Sequence, residues 1–176
     1  FGTFDVTLNL PANYIVGATG VVTHGDPGWS AVAYDTSRAF SDWYAEYYES
    51  ESRKRYPESR RREVTFHAEN VHTFAWSASP DFIYEHGTFN DIDIHVLYRA
   101  HRAFQWHKQS LMHGYRALEW LDRKVGPYPY PQVTIIHGLL SGGMEYPMLV
   151  MDGRVDEGLV VHEIGHIYFY GILAND

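Results

Sequence analysis

The sequence predicts an α+β fold, in which a strand-rich first part is followed by a second part where helices alternate with strands. Three observations carry this. Short runs with apolar residues at every second position fill most of residues 1 to 98. Beyond that point the apolar spacing changes to three and four, the period of a helix. Composition is ordinary for a globular chain, with 45% hydrophobic and 20% charged residues in 176. That length allows one large domain or two small ones with a real core.

In chain order, Phe4, Val6, Leu8 and Leu10 share one face. Pro11-Ala12-Asn13 reads as a turn, and Tyr14-Ile15-Val16 returns before Gly17, so residues 1 to 22 read as a hairpin-like pair. Gly25-Asp26-Pro27-Gly28 is loop chemistry. From Asp35 to Arg55 the pattern is helical, with Phe40, Trp43, Tyr44, Tyr47 and Tyr48 as a stripe that reads as a packed face rather than a sugar platform. Asp35 or Ser37 is the expected cap, and Pro57 the expected end. Arg53-Lys54-Arg55 and Arg60-Arg61-Arg62 alternate with Glu49, Glu51, Glu58 and Glu63, which reads as a salt-bridged surface rather than a patch for an acidic partner.

Strands are expected over Glu63 to Ala68, Thr73 to Ala78, Phe82 to His86 and Ile92 to Tyr98, giving with the first 22 residues an antiparallel sheet or sandwich. Ala103 to Val125 reads as one helix closed by Gly126-Pro127, with His107 and His113 as surface or core histidines. Tyr128-Pro129-Tyr130-Pro131 leads into a strand from Gln132 to His137. Ser141-Gly142-Gly143 precedes a further strand from Met144 to Met151, and its Pro147 assigns that strand to a sheet edge, where an extended peptide could add. Gly142-Gly143 is not a phosphate loop, because no Lys or helix start follows in the right place. Asp152 or Asp156 then opens the last helix.

That helix carries His162-Glu163-Ile164-Gly165-His166, an H-E-x-x-H motif. Four helical residues turn through about 400°, so His162 and His166 share a face one turn apart and can grip one cation. Glu163 lies close enough to polarise a water at the metal. The apolar context, Leu159-Val160-Val161 before and Ile167-Tyr168-Phe169 after, makes three ionisable side chains costly unless they serve a purpose. A catalytic zinc takes three protein ligands, and only two are visible. With no Cys, the chain has neither disulfides nor thiolate sites, leaving His and carboxylate as ligands. The net charge of −8 argues against nucleic acid or an anionic membrane as partner, and no stretch is apolar enough to span a bilayer. No signal-like segment is present at the start, and the chain reads as cut at both ends.

Four landmarks occur in order: the strand-and-turn opening, Ala68-Glu69-Asn70-Val71-His72-Thr73-Phe74-Ala75-Trp76, Gly142-Gly143-Met144-Glu145-Tyr146-Pro147, and the H-E-x-x-H helix about 18 residues on. Together they resemble the aminopeptidase N family of gluzincins, in particular its bacterial Gly-Gly-Met-Glu-Tyr-Pro branch, over nearly the whole chain except residues 35 to 62. The resemblance implies that residues 1–98, with a helical insertion at 35–56, are the end of a β domain, and that 99–176 begin a thermolysin-like zinc peptidase domain. It implies Zn2+ on His162 and His166, with the third ligand a Glu beyond Asp176, and Glu163 as general base. Gly142, Gly143, Met144 and Glu145 would bind the substrate's N-terminus. The common family motif has Asn after the Met-Glu pair, where Tyr146-Pro147 stands here. The expected activity is aminopeptidase action on peptides. A zinc endopeptidase and a non-catalytic scaffold of the same fold are the alternatives. The implied partners are a peptide substrate and the rest of a longer parent chain, and the resemblance leans towards an exported bacterial protein.

Overall fold

The computed structural model describes residues 1–49 and 60–173. Its strands fall into three sheets. In the first, β1 (Gly2–Pro11) pairs antiparallel with β4 (Arg61–Val71), whose other edge carries β3 (Val21–Gly25). The hairpin expected within residues 1 to 22 does not form. β2 (Ile15–Ala18) pairs instead with β5 (Trp76–Ser79) in a separate two-stranded sheet. The reason is burial on both faces, since all four residues of β2 are buried. Val16 and Ala18 pack with Leu8, Leu10, Val64 and Phe66, while Ile15 packs the other way with Leu97 and Ile136. Gly17 lets β2 approach the larger sheet, because a Cβ there would meet the Ile136 side chain at 2.8 Å.

The larger sheet has five strands in the order β6-β7-β8-β10-β9: β6 (Phe82–Phe89), β7 (Ile92–Arg99), β8 (Gln132–His137), β9 (Glu145–Tyr146) and β10 (Leu149–Asp152). β7, β8 and β10 run parallel, and the two edge strands are antiparallel to their neighbours. The sheet is therefore mixed rather than wholly antiparallel. Parallel neighbours need a crossover, and the helices between β7 and β8 provide it. Because β6 and β7 share this sheet with strands after residue 98, the expected division at 98 falls inside one sheet. Among the described residues, no helix is long and apolar enough to cross a membrane.

The aromatic helix is α1 (Phe40–Glu49). Its stripe is a packed face: Trp43 is buried, Phe40 stacks on His107 with ring centres 3.7 Å apart, and Tyr44 Oη donates to Ala100 O at 2.8 Å. Neither Asp35 nor Ser37 caps it. Asp35 Oδ1 accepts from Ser37 N and Oγ, closing a separate turn ahead of the helix. The expected continuation to Arg55 and the stop at Pro57 lie outside the described residues, as does Arg53-Lys54-Arg55. Of the second basic run, Arg61 donates to Asn9 and Arg62 to Ala12 and Asp26, so both cations hold the chain's own strands and loop together.

The single helix expected from Ala103 to Val125 is broken. A 3-10 turn (Ala100–Arg102) leads into α2 (Ala103–Trp106), and after a kink α3 runs from Gln109–Lys124. The buried carboxylate of Glu85 causes the kink by accepting from His107 Nδ1 at 2.6 Å and from Lys108 N at 3.0 Å, with Lys108 at φ 60°. His113, on α3, is buried. The strand expected over Met144 to Met151 is also divided, into the hairpin β9–β10. Pro147 and Met148 are its turn, because Pro suits the first turn position and Met148 takes the left-handed conformation, φ 61°, that the second demands. The edge position belongs to β9, and Pro147 lies beside it rather than within a strand. α4 (Glu157–Leu173) then packs Val160, Ile164, Ile167 and Tyr168 against the sheet and α3.

Candidate metal centre

Asp156, not Asp152, starts α4. Its carboxylate accepts from Leu159 N at 3.0 Å, satisfying a donor that a helix start leaves free, and its carbonyl accepts the first helical bond, from Val160 N at 3.0 Å. From there the helical period decides which side chains share a face. His162 and His166 both reach solvent, while Glu163 is only 4% exposed.

The imidazoles are 4.6 Å apart at their centres and perpendicular, and their Nε2 atoms lie 3.1 Å from each other. Two nitrogens at about 2.0–2.1 Å from one tetrahedral zinc would stand roughly 3.3 Å apart. Within a few tenths of an ångström, the pair already has the spacing of two ligands of one ion. Each of His162, Glu163 and His166 offers a donor atom within 4.8 Å of the other two, the one such group among the described residues. Imidazole nitrogens beside a carboxylate suit zinc. The residues present therefore fit two of the three protein ligands of a zinc site.

β9 brings the second motif to the same place. Glu145 is half-buried and lies against Glu163. Burial, and then the Glu145 charge, raise the Glu163 carboxyl above its usual range, with the two histidines pulling the other way. Gly143 sits directly under Glu163: a Cβ built there would overlap Glu163 Oε1, so only glycine leaves room for that carboxylate. Gly142 has open space around it and accepts from Gly153 N at 2.9 Å, and Met144 is 37% exposed beside the site. Of the seven residues singled out by the sequence, Gly143 and Glu145 meet Glu163 across the α4–β9 contact, His162 and His166 lie on the exposed side of α4, and Gly142 and Met144 alternate with the first two along the chain.

Three neighbours escaped the sequence reading. Tyr170, two turns after Glu163, donates from its hydroxyl to Glu145 O at 3.3 Å, and His72 meets its ring edge-on with centres 4.7 Å apart. The i+7 spacing from Glu163 was the available signal for Tyr170. Asp152 is fully buried at the end of β10, near Glu163, and burial pushes its carboxyl up to about 7. Its signal was an acidic residue closing the apolar run Met148-Leu149-Val150-Met151.

No protein-family model matches the chain, and no curated protein matches it. Among solved structures the chain is similar to the crystal structure of a two-domain M1 zinc metallopeptidase, a glutamate-to-alanine mutant bound to L-arginine. The TM-score is 0.62 at 15% identity, and the match covers 96% of this chain and 34% of that one. The chain therefore spans about a third of the length of the protein it resembles. The likeness shows a shared α+β fold.

Proposed function

We propose that this chain is the zinc-helix-bearing part of a zinc metallopeptidase of the M1 (aminopeptidase N) type, acting on peptides from their free N-terminus. The observation that carries the reading is the pair of Nε2 atoms 3.1 Å apart on the outer face of α4, with the buried Glu163 beside them. Bound zinc would supply Lewis acidity to a water and to the scissile carbonyl. His162 and His166 would hold it through Nε2. Glu163 accepts the proton of the attacking water at a carboxylate oxygen and returns it to the leaving amine. Glu145 receives the substrate's α-ammonium by a charge-assisted hydrogen bond, and the edge strand β9 aligns the peptide backbone.

The rest of a longer parent chain would complete the centre with a carboxylate ligand. The exposed side of α4 supports this: Phe169 lines one shallow cleft with His162, His166 and the exposed Trp120, Ile172 and Leu173 are exposed further along, and a helix that is apolar all round is normally covered. Two neutral imidazoles alone lack the charge and chelate closure of a three-ligand site. The isolated chain should therefore lose zinc on dialysis and show no peptidase activity. Zinc retained through chelator treatment would mean that this chain supplies a third ligand itself.

Assaying the zinc-loaded full-length protein on peptides with free and with acetylated N-termini tests the reading. Cleavage confined to free N-termini is expected, and preference for blocked peptides would make it an endopeptidase. Gly143→Ala offers a second check. Its methyl group must displace the Glu163 carboxylate, and a misplacement of about 1 Å costs on the order of 10²-fold in kcat. An unchanged kcat would show that Glu163 need not sit over Gly143.

A further inference from the structure

Asp152 is the group that the hydrolysis scheme leaves unused. It is fully buried, and neither carboxylate oxygen has a hydrogen-bond partner among the described residues. A buried, unpartnered carboxyl group calls for an explanation, because folds pair or neutralise such groups.

Backbone bonds on both sides fix its place in the sheet. On one side Asp152 is in register with His137 of β8, and its carbonyl accepts from Gly138 N at 2.8 Å. On the other, Met144 and Met151 exchange two backbone bonds and Gly153 N donates to Gly142 O, which sets Gly143 opposite Asp152. Glu163 Oε1 occupies the space over Gly143. The general base therefore lies about one strand spacing, roughly 5 Å, across the sheet from Asp152. Side chains alternate along a strand, so Asp152 points to the same face as Val150, and Val150 packs with Val160 and Ile164 of α4. Asp152 is thus directed at the helix turn that carries Glu163.

We propose that Asp152 is a positioning residue for Glu163, a neutral carboxylic acid that donates its proton in a hydrogen bond to the Glu163 carboxylate during turnover. This rests on the peptidase reading. While no substrate is present, the Glu145 charge lies against Glu163 and raises its carboxyl. A substrate ammonium that takes Glu145 neutralises that charge, and Asp152 is a polar group facing Glu163 from the sheet. The proton remains on Asp152 throughout, so no net transfer is involved. A neutral acid suits this task, since a second carboxylate would repel the base and a Lys or Arg would quench it. Burial also raises the group to about 7, so that much of it carries its proton at neutrality.

The test compares Asp152→Asn and Asp152→Leu in the zinc-loaded full-length protein. Asn keeps the volume and an N–H donor, and its kcat should stay within about threefold of the parent. Leu keeps only the bulk, and its kcat should fall about 10²-fold with KM nearly unchanged. Zinc content should be equal in both, and the Leu variant should melt no lower than the parent, because replacing an unpartnered buried acid with an apolar side chain does not cost stability. A readout without turnover is the infrared absorption of protonated carboxyl groups at neutral pH, expected to be weaker in Asp152→Asn than in the parent by the contribution of one group. Parental kcat in the Leu variant, equal loss in both variants, or a carboxyl band unchanged in Asp152→Asn would each overturn the inference and leave the peptidase reading standing. Failure of the unmutated protein to cleave any peptide would overturn the peptidase reading and this inference with it.

Discussion

Glu163→Gln in the full-length protein should retain zinc and lose turnover by about 10²- to 10⁴-fold, the scale on which a positioned general base contributes. Gln has nearly the same volume and the same branch point, so it fits the space over Gly143 that a Cβ would block. It cannot accept a proton, and it does not remove an imidazole from the metal. Contact with Glu145 can persist, because the Gln amide can donate to a carboxylate. The effect should therefore fall on kcat, with zinc stoichiometry by elemental analysis unchanged. A Gln variant with near-parental kcat would assign the proton transfer to another group.

Glu145→Ala should raise KM for peptides with a free N-terminus and leave any hydrolysis of acetylated peptides nearly unchanged. Losing one partner of a buried charge pair costs about 3–5 kcal/mol. Glu145 is half-buried rather than sealed, so solvent screening places the expectation nearer 2–3 kcal/mol, roughly 30- to 150-fold in kcat/KM. Its backbone is held independently of its side chain, by pairing with Val150 and by the Tyr170 hydroxyl on its carbonyl, so the strand should survive truncation. Steady-state kinetics on paired free and acetylated substrates check this. Equal losses on both would remove Glu145 from amine recognition and favour an endopeptidase.

The geometry of the candidate ligand pair was legible in the sequence because it is local. Four residues of helix fix the relation of His162 to His166, and no distant contact can alter it. The Gly-Gly-Met-Glu segment could be read as a neighbour of that helix only through the family resemblance, since nothing in its own spacing says what it faces. Strand existence was also legible from alternation, but strand pairing was not. Whether β1 meets β2 or β4 depends on what buries both faces of Ile15–Ala18, and half of that packing comes from Leu97 and Ile136, far along the chain. The break between α2 and α3 was hidden for the same reason: it answers to Glu85 on a strand, not to a helix-breaking residue at His107 or Lys108. At Pro147 the signal was present but assigned to the wrong structure. A proline before a residue with positive φ makes a turn, and Met148 is not a residue whose composition announces that conformation.

The most direct test of the central assignment is a zinc titration of this chain followed by the imidazole resonances of its 11 histidines. Zinc should perturb His162 and His166 together, through Nε2, at one equivalent and with an affinity weak enough to be reversed by dialysis, and His166→Ala should abolish the change at His162. Saturable binding that leaves these two rings unperturbed, or that survives His166→Ala unchanged, would contradict the placement of the metal centre on α4.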